Sequence, residues 1–276
     1  MTRARQVGFS LVELILVIVI LGTLAGVITV FVRPAVEGFL AQRSRSEIQS
    51  AAQAALQAMQ RDVRAAVPNS VRYPNDQCFE LVPTRGGGRY RMRPDTTASG
   101  SAWFDTGTSA SQFDVLGPLN GSFVSGDYVV IGNQNGDEVY TGANRSTLSG
   151  AAAAGAFGST RLQFASKQFP GGYAGGRFLL VPAAQQAVFY VCENPGVVAG
   201  EGTGTLFRNK AYGFNGYPAS CPAGSGEVMA TRVSACSFVY NSNALTEYGV
   251  MSLRLELTRS GETVGLQFNS MVSNIP

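Results

Sequence analysis

The sequence predicts an α+β protein in which a long N-terminal helix, first apolar and then amphipathic, packs its outer half on a mostly antiparallel β-sheet domain. Three observations predict it. Residues Leu14 to Val32 form an uncharged run of 19 residues near the N-terminus. A single helical stripe of apolar residues continues from there to Val67. Beyond Val67 glycine, proline, asparagine and serine recur every few residues, and only Gly8, Gly22, Gly26 and Gly38 of the 33 glycines precede residue 86. Short strands and turns need such punctuation, whereas helices exclude it. At 276 residues, 45% hydrophobic and 14% charged, the chain suffices for one large domain with an appendage.

The first segment, residues 1–8 (MTRARQVG), carries Arg3 and Arg5 and no acid. The apolar span, residues 9–32, is broken by one charge, Glu13. As a helix, Phe9 to Val32 is about 36 Å long, enough to cross a hydrocarbon core of about 30 Å. Arg3 and Arg5 precede it directly, so the positive-inside bias keeps the N-terminus in the cytoplasm and sends the rest outward. An ordinary secretory signal would need a small-residue cleavage site after the apolar core, and GTLAGVITVFVRP is a poor one. The break in character comes earlier, at Gly8-Phe9.

Residues 33–67 read as the amphipathic continuation of the same helix. Val36, Phe39, Leu40, Ile48, Ala52, Leu56, Met59, Val63 and Val67 share one stripe, with Arg43, Arg45, Gln49, Gln53, Gln57, Arg61 and Arg64 on the other faces. The whole helix, Phe9 to Val67, would run about 88 Å. Pro34 is expected to kink or locally melt it, and Pro68-Asn69 to end it.

Glu13 is the conspicuous polar residue of the span. A carboxylate inside an apolar helix costs about 2.5 to 3.5 kcal/mol unless it finds a partner. One reading places it at the membrane boundary, reaching toward water. The other pairs it, in low dielectric, with an amine supplied by a new N-terminus at Phe9, on its own or a neighbouring chain.

Residues 68–276 read as a β-rich globular domain. Strand-like segments are Phe79–Val82, Tyr128–Ile131, Val139–Thr141, Arg161–Phe164, Phe178–Val181, Val188–Cys192, Ser237–Tyr240, Val250–Thr258 and Thr263–Phe268. In the last two, Leu253, Leu255 and Leu257 face the same way as Val264, Leu266 and Phe268 across the turn Arg259-Ser260-Gly261-Glu262, which predicts a hairpin. Asn135-Gly136 predicts another between Tyr128–Ile131 and Val139–Thr141. Ser149 to Ser159 and Gly196 to Gly204 read as loops.

Composition removes much of enzymology. With no histidine in the chain, Ser-His-Asp and Cys-His hydrolases, H-E-x-x-H metalloproteases and every His-ligated metal site are excluded. Neither Lys167 nor Lys210 follows a glycine, so there is no P-loop, and Asp114 and Asp127 have no visible carboxylate partner. A net charge of +3 does not mark a nucleic-acid protein. No catalytic residue, metal or cofactor is expected.

Three constellations remain. Cys78, Cys192, Cys221 and Cys236 allow three disulfide pairings, and the absence of any C-x-x-C half-site argues against zinc. Arg85, Arg89, Arg91 and Arg93 surround Gly86-Gly87-Gly88. Arg89, Arg91 and Arg93 would share one strand face, as an anion-binding patch or, in the preferred reading, as a solvated hairpin face. Asn133, Asn135, Asp137 and Glu138 supply oxygens for a calcium ion, but they depart from the D-x-[DN]-x-[DN]-G loop and an Asn-Gly turn accounts for them.

Two sets of residues carry family resemblances. The run G-F-S-L-V-E-L-I-L-V-I-V-I-L-G from Gly8 resembles the prepilin processing signature of type IV pilins and type II secretion pseudopilins, with Gly8, Phe9 and Glu13 matching position for position. The resemblance implies a leader, residues 1–8, cut after Gly8 by a prepilin peptidase that also N-methylates Phe9. It implies that the apolar helix is retained as anchor and assembly element, with Glu13 setting subunit register. It also implies a type IV pilin-like fold. Further on, Arg61-Asp62-Val63-Arg64, Ser70-Val71-Arg72, Glu80-Leu81-Val82-Pro83-Thr84, Gly87-Gly88-Arg89-Tyr90-Arg91 and the tail Val272-Ser273-Asn274-Ile275-Pro276 resemble the MshO family, minor pilins of the mannose-sensitive haemagglutinin (MSHA) pilus. Tyr190-Val191-Cys192 and Gly204-Thr205-Leu206-Phe207-Arg208 are similar to J-type pseudopilins and PilW-like minor pilins. This implies a rare subunit near the filament tip that helps initiate assembly. Its partners would be other minor and major pilins, the prepilin peptidase, the inner membrane and its assembly platform, and not nucleic acid. The chain would sit in a bacterial inner membrane with its C-terminal domain periplasmic, then in the pilus. The resemblance favours the pairs Cys192–Cys236 and Cys78–Cys221, with Cys221–Cys236 as the alternative. A J-type pseudopilin of a type II secretion system, and a tip adhesin or DNA-binding pilin, are the alternative functions.

Overall fold

The computed structural model describes residues 8–171, 175–241 and 248–275, in two compact units that divide between Glu47 and Ile48. The leader positions 1–7, with Arg3 and Arg5, and the final residue of the tail lie outside the described residues.

In the first unit Ser10 is an extended N-cap (φ −78°, ψ 150°) whose hydroxyl accepts the Glu13 N–H at 3.2 Å. Helix α1 (Leu11–Val27) therefore starts two residues later than Phe9, because the cap fixes where the first turn begins. A π-helical turn, Ile28–Val32, links it to α2 (Arg33–Arg64). Pro34 thus leaves the helix unbroken. It lacks the N–H that would bond to the Val30 carbonyl, and the widened turn just before it relieves the clash of ring and carbonyl. The Thr23 and Thr29 hydroxyls bond back to the Ile20 and Ala25 carbonyls at 2.9 and 2.8 Å, so neither hydroxyl demands water. No residue of α1 is buried. The run Leu11–Arg64 is long and apolar enough to span a membrane.

In the second unit the end of α2 turns Ile48, Ala52, Ala55, Leu56, Met59 and Val63 inward at helical spacing. The helix stops at Arg64, short of Val67, because the chain there finds strand partners: Val67 N–H donates to the Val82 carbonyl at 2.8 Å and Ala66 bridges Pro83. Fifteen strands follow among the described residues. They are β1 (Arg72–Asn75), β2 (Cys78–Leu81), β3 (Gly86–Tyr90), β4 (Ala110–Asn120), β5 (Tyr128–Val130), β6 (Arg145–Ala152), β7 (Thr160–Lys167) and β8 (Arg177–Val181). Then come β9 (Val188–Glu193), β10 (Val197–Val198), β11 (Glu201–Gly202), β12 (Gly204–Lys210), β13 (Glu227–Asn241), β14 (Tyr248–Arg259) and β15 (Glu262–Ser273).

The β region has two bodies. An antiparallel seven-stranded sheet has the order β1-β2-β9-β12-β13-β14-β15, and β3-β4-β7-β6-β5-β8 close into a barrel. Phe79, Leu81, Tyr190, Leu206, Phe238, Leu253 and Leu255 of the sheet form one core with the buried face of α2. The barrel has its own core, built around Tyr90, Phe104, Phe113, Phe164, Phe169 and Phe178. The β14–β15 hairpin turns at Ser260 and Gly261, both left-handed (φ 52° and 78°), with Arg259 opposite Glu262. The second hairpin expected at Asn135-Gly136 is absent. Residues Glu138–Thr141 form a short helix, α3, and β5 pairs with β6 instead. The Glu138 carboxylate accepts the N–H groups of Gln134 and Asn135 at 2.8 and 3.2 Å, which winds this segment into a helical turn. The expected loops are also partly strand: β6 runs to Ala152, and β10 and β11 pair between Gly196 and Gly204.

Candidate functional site

Gly8, Phe9 and Ser10 precede the first helical turn and are exposed, Phe9 at 83%. Ser10-Leu11-Val12-Glu13 follows the S-x-x-E pattern of a capping box, and the Ser10 half of it is formed. The pattern was readable in the sequence and gives Glu13 a local role besides any intersubunit one, since an acid in the first turn also suits the helix dipole. The Glu13 carboxylate is exposed and has no partner among the described residues. Around it Leu11, Val12, Leu14, Ile15, Leu16, Ile18 and Val19 are all more than half exposed. The helix thus presents one carboxylate on an otherwise apolar, exposed surface.

The cysteines pair as Cys78–Cys221 and Cys192–Cys236. The first ties β2 to the connection between β12 and β13, and the second joins β9 to β13 across β12.

Two polar networks link separate pieces of the second unit, and both draw on segments that carry the family resemblance. Asp62 of α2 accepts from Tyr190 at 2.7 Å and from Arg208 at 2.8 and 3.0 Å, and Arg208 also reaches Gln185 at 2.9 Å. This fixes the end of the helix on β9 and β12. Arg72 lies 3.6 Å from Glu80, ion-pairs with Asp137 and stacks 3.3 Å from the Tyr140 ring, joining β1 and β2 to α3. The Tyr212 hydroxyl donates to Glu80 at 2.6 Å. Burial pushes the Glu80 carboxyl above its ordinary value, against the pull of Tyr212 and Arg72, and burial beside Glu80 pushes Tyr212 up as well. Sequence reading missed both networks, because their members lie far apart along the chain.

The arginine cluster is not one face. Strand β3 ends at Tyr90, where Tyr90 turns into the barrel core. Arg85 pairs with Asp127 at 3.4 Å. Arg91 lies 3.5 Å from Asp95 and donates to the Phe157 carbonyl at 2.8 Å. Arg89 and Arg93 remain exposed. Of the oxygens considered for calcium, those of Asn133, Asp137 and Glu138 are engaged within the protein. Asn133 Oδ1 accepts from Val139 and Asn144, Asp137 pairs with Arg72, and Glu138 holds its own loop. Among the described residues there is no group of three or more cysteines or carboxylates placed to hold a metal ion.

Comparison with family models, curated proteins and solved structures returns no match.

Proposed function

We propose that this chain is a minor pilin of a type IV, MSHA-like pilus, processed by prepilin peptidase between Gly8 and Phe9 and acting in the initiation of the filament near its tip. The observation that carries this reading is the exposed Gly8-Phe9 junction directly before a capped, entirely exposed apolar helix whose one acid, Glu13, has no partner among the described residues. Cutting there would release the Phe9 amine close to Glu13. In a stack of such helices the carboxylate of one subunit and the new amine of the next would neutralise each other in low dielectric and set their register. The β-rich second unit, stapled by two disulfides, suits an oxidising periplasm. In this reading the chain performs no chemistry of its own.

The test is co-purification of the full-length chain from membranes, comparing wild type with Gly8→Leu and Glu13→Ala. A side chain at Gly8 meets nothing within 4 Å, so a defect there reports processing and not folding. Gly8→Leu is expected to keep its leader by mass spectrometry. Glu13→Ala is expected to insert normally but to bring down at least tenfold less of its partner pilins. A normally trimmed Gly8→Leu, or an unchanged partner yield from Glu13→Ala, overturns the reading. Secretion-system pseudopilins as the only partners would replace it with the J-type alternative.

A further inference from the structure

The outer wall of the barrel carries two arginines opposed to each other. Arg89 on β3 and Arg177 on β8 are direct cross-strand partners. Their neighbours Tyr90 and Phe178 point into the barrel core, so the arginines point outward, and both are exposed. Like charges opposite one another destabilise a sheet, and natural strands usually place an acid there. In the same barrel Arg85 has Asp127, Arg91 has Asp95 and Arg161 has Asp114. Neither Arg89 nor Arg177 has a carboxylate partner among the described residues.

The surface between them is concave. A groove of about 460 Å³ on this wall is bordered by Arg89, Arg177, Leu116 and Asn120. A second groove of about 240 Å³ shares Thr84, Arg177 and Leu179 with the first and adds Arg64 from the last turn of α2. Arg64 is likewise exposed and without a carboxylate partner among the described residues. Arg177 thus borders both grooves, Arg89 the larger and Arg64 the smaller, and no Asp or Glu lines either groove.

We propose that the larger groove is a binding site for a compact oxyanion, a phosphate or phosphate monoester, held between Arg89 and Arg177, with Arg64 adding positive charge from the neighbouring groove. Guanidinium forks match tetrahedral oxyanions, and two facing forks supply more donors than a single carboxylate accepts. Binding would relieve the repulsion built into the strand pair. The direct pairing of Arg89 with Arg177, with a net charge of only +3 over the chain, favours a small anion over a nucleic-acid track.

Calorimetric titration of the full-length chain in nonionic detergent with inorganic pyrophosphate tests this. Saturable binding that weakens as salt rises is expected. The Arg89→Gln/Arg177→Gln double variant is expected to lose at least tenfold in affinity, and Arg64→Gln about threefold. Arg93→Gln, an exposed arginine outside the grooves, is expected to bind like wild type. All four changes are at exposed side chains, and an unchanged melting temperature confirms their folding. Absence of pyrophosphate binding by wild type, equal affinity in the double variant, or binding only of oligothymidylate with an affinity that grows with its length overturns the proposal. The outcome is independent of whether the chain assembles into a pilus.

Discussion

The helix-backed sheet and the barrel solve the same problem, hiding a β surface, by different means. The sheet is open: it has free edges at β1 and β15, covers one face with α2, and carries both disulfides. Its core is largely aliphatic. The barrel has no edge strand, contains none of the four cysteines, and is filled by aromatic rings whose centroids lie 5.1 to 6.3 Å apart around Phe113. Closure satisfies every strand and converging rings fill the small lumen, so the barrel needs no covalent staple. The open sheet must hold long connections such as residues 211–226 against its outer side, and a cross-link does that where packing is thin.

The largest effect that would test this contrast is in the barrel. Phe113→Ala removes a ring that touches Tyr90, Phe104, Phe164 and Phe178, and the expected loss is about 3 to 5 kcal/mol in denaturant unfolding. Amide exchange should quicken in β3–β8 and hold in β9 and β12–β15; equal loss in both would mean the two bodies unfold as one. Next comes reduction of the disulfides, expected to cost the sheet about 2 to 5 kcal/mol while barrel amides keep their protection. The smallest effect concerns Glu80. Because burial lifts its folded value above the ordinary 4.5, the folded state holds this proton more tightly than the unfolded chain. Its contribution to stability is complete below about pH 4.5 and is lost as the pH climbs through the folded value. Glu80→Gln keeps an acceptor for Tyr212 and should flatten that decline, with a change of under about 1 kcal/mol at pH 4. Urea midpoints of both proteins from pH 4 to 8 check it; parallel curves would exclude Glu80 as the source.

Local patterns in the sequence reached the elements whose partners are adjacent in the chain. The alternation of Leu253, Leu255 and Leu257 with Val264, Leu266 and Phe268 specified the β14–β15 hairpin, and the stripe from Ile48 to Val63 specified the helical face on the sheet. Patterns failed where long-range pairing decides. Val139-Tyr140-Thr141 has strand-forming side chains, yet the reach of Glu138 back to Gln134 and Asn135 makes a helix of it. Barrel closure depends on β3 meeting β8, which no window of sequence contains. For the same reason the sequence groups Arg89 with its chain neighbours Arg85, Arg91 and Arg93, whereas the residue opposite it in space is Arg177. At the N-terminus the charge pattern, the apolar run and the Gly8-Phe9 junction are all contiguous, so the candidate assembly segment was visible before any coordinates, although the Ser10 cap was overlooked.

The barrel departs from the sheet after Leu81 and returns at Val188, and these two residues are hydrogen-bonding neighbours on β2 and β9. The chain leaves and re-enters at one doorway. Bridging that gap with a short turn would leave the strand order of the sheet intact, but it would also take away Asp137 and Tyr140 from Arg72 and Gln185 from Arg208, so the inserted body repays its entry by completing the surroundings of two buried arginines.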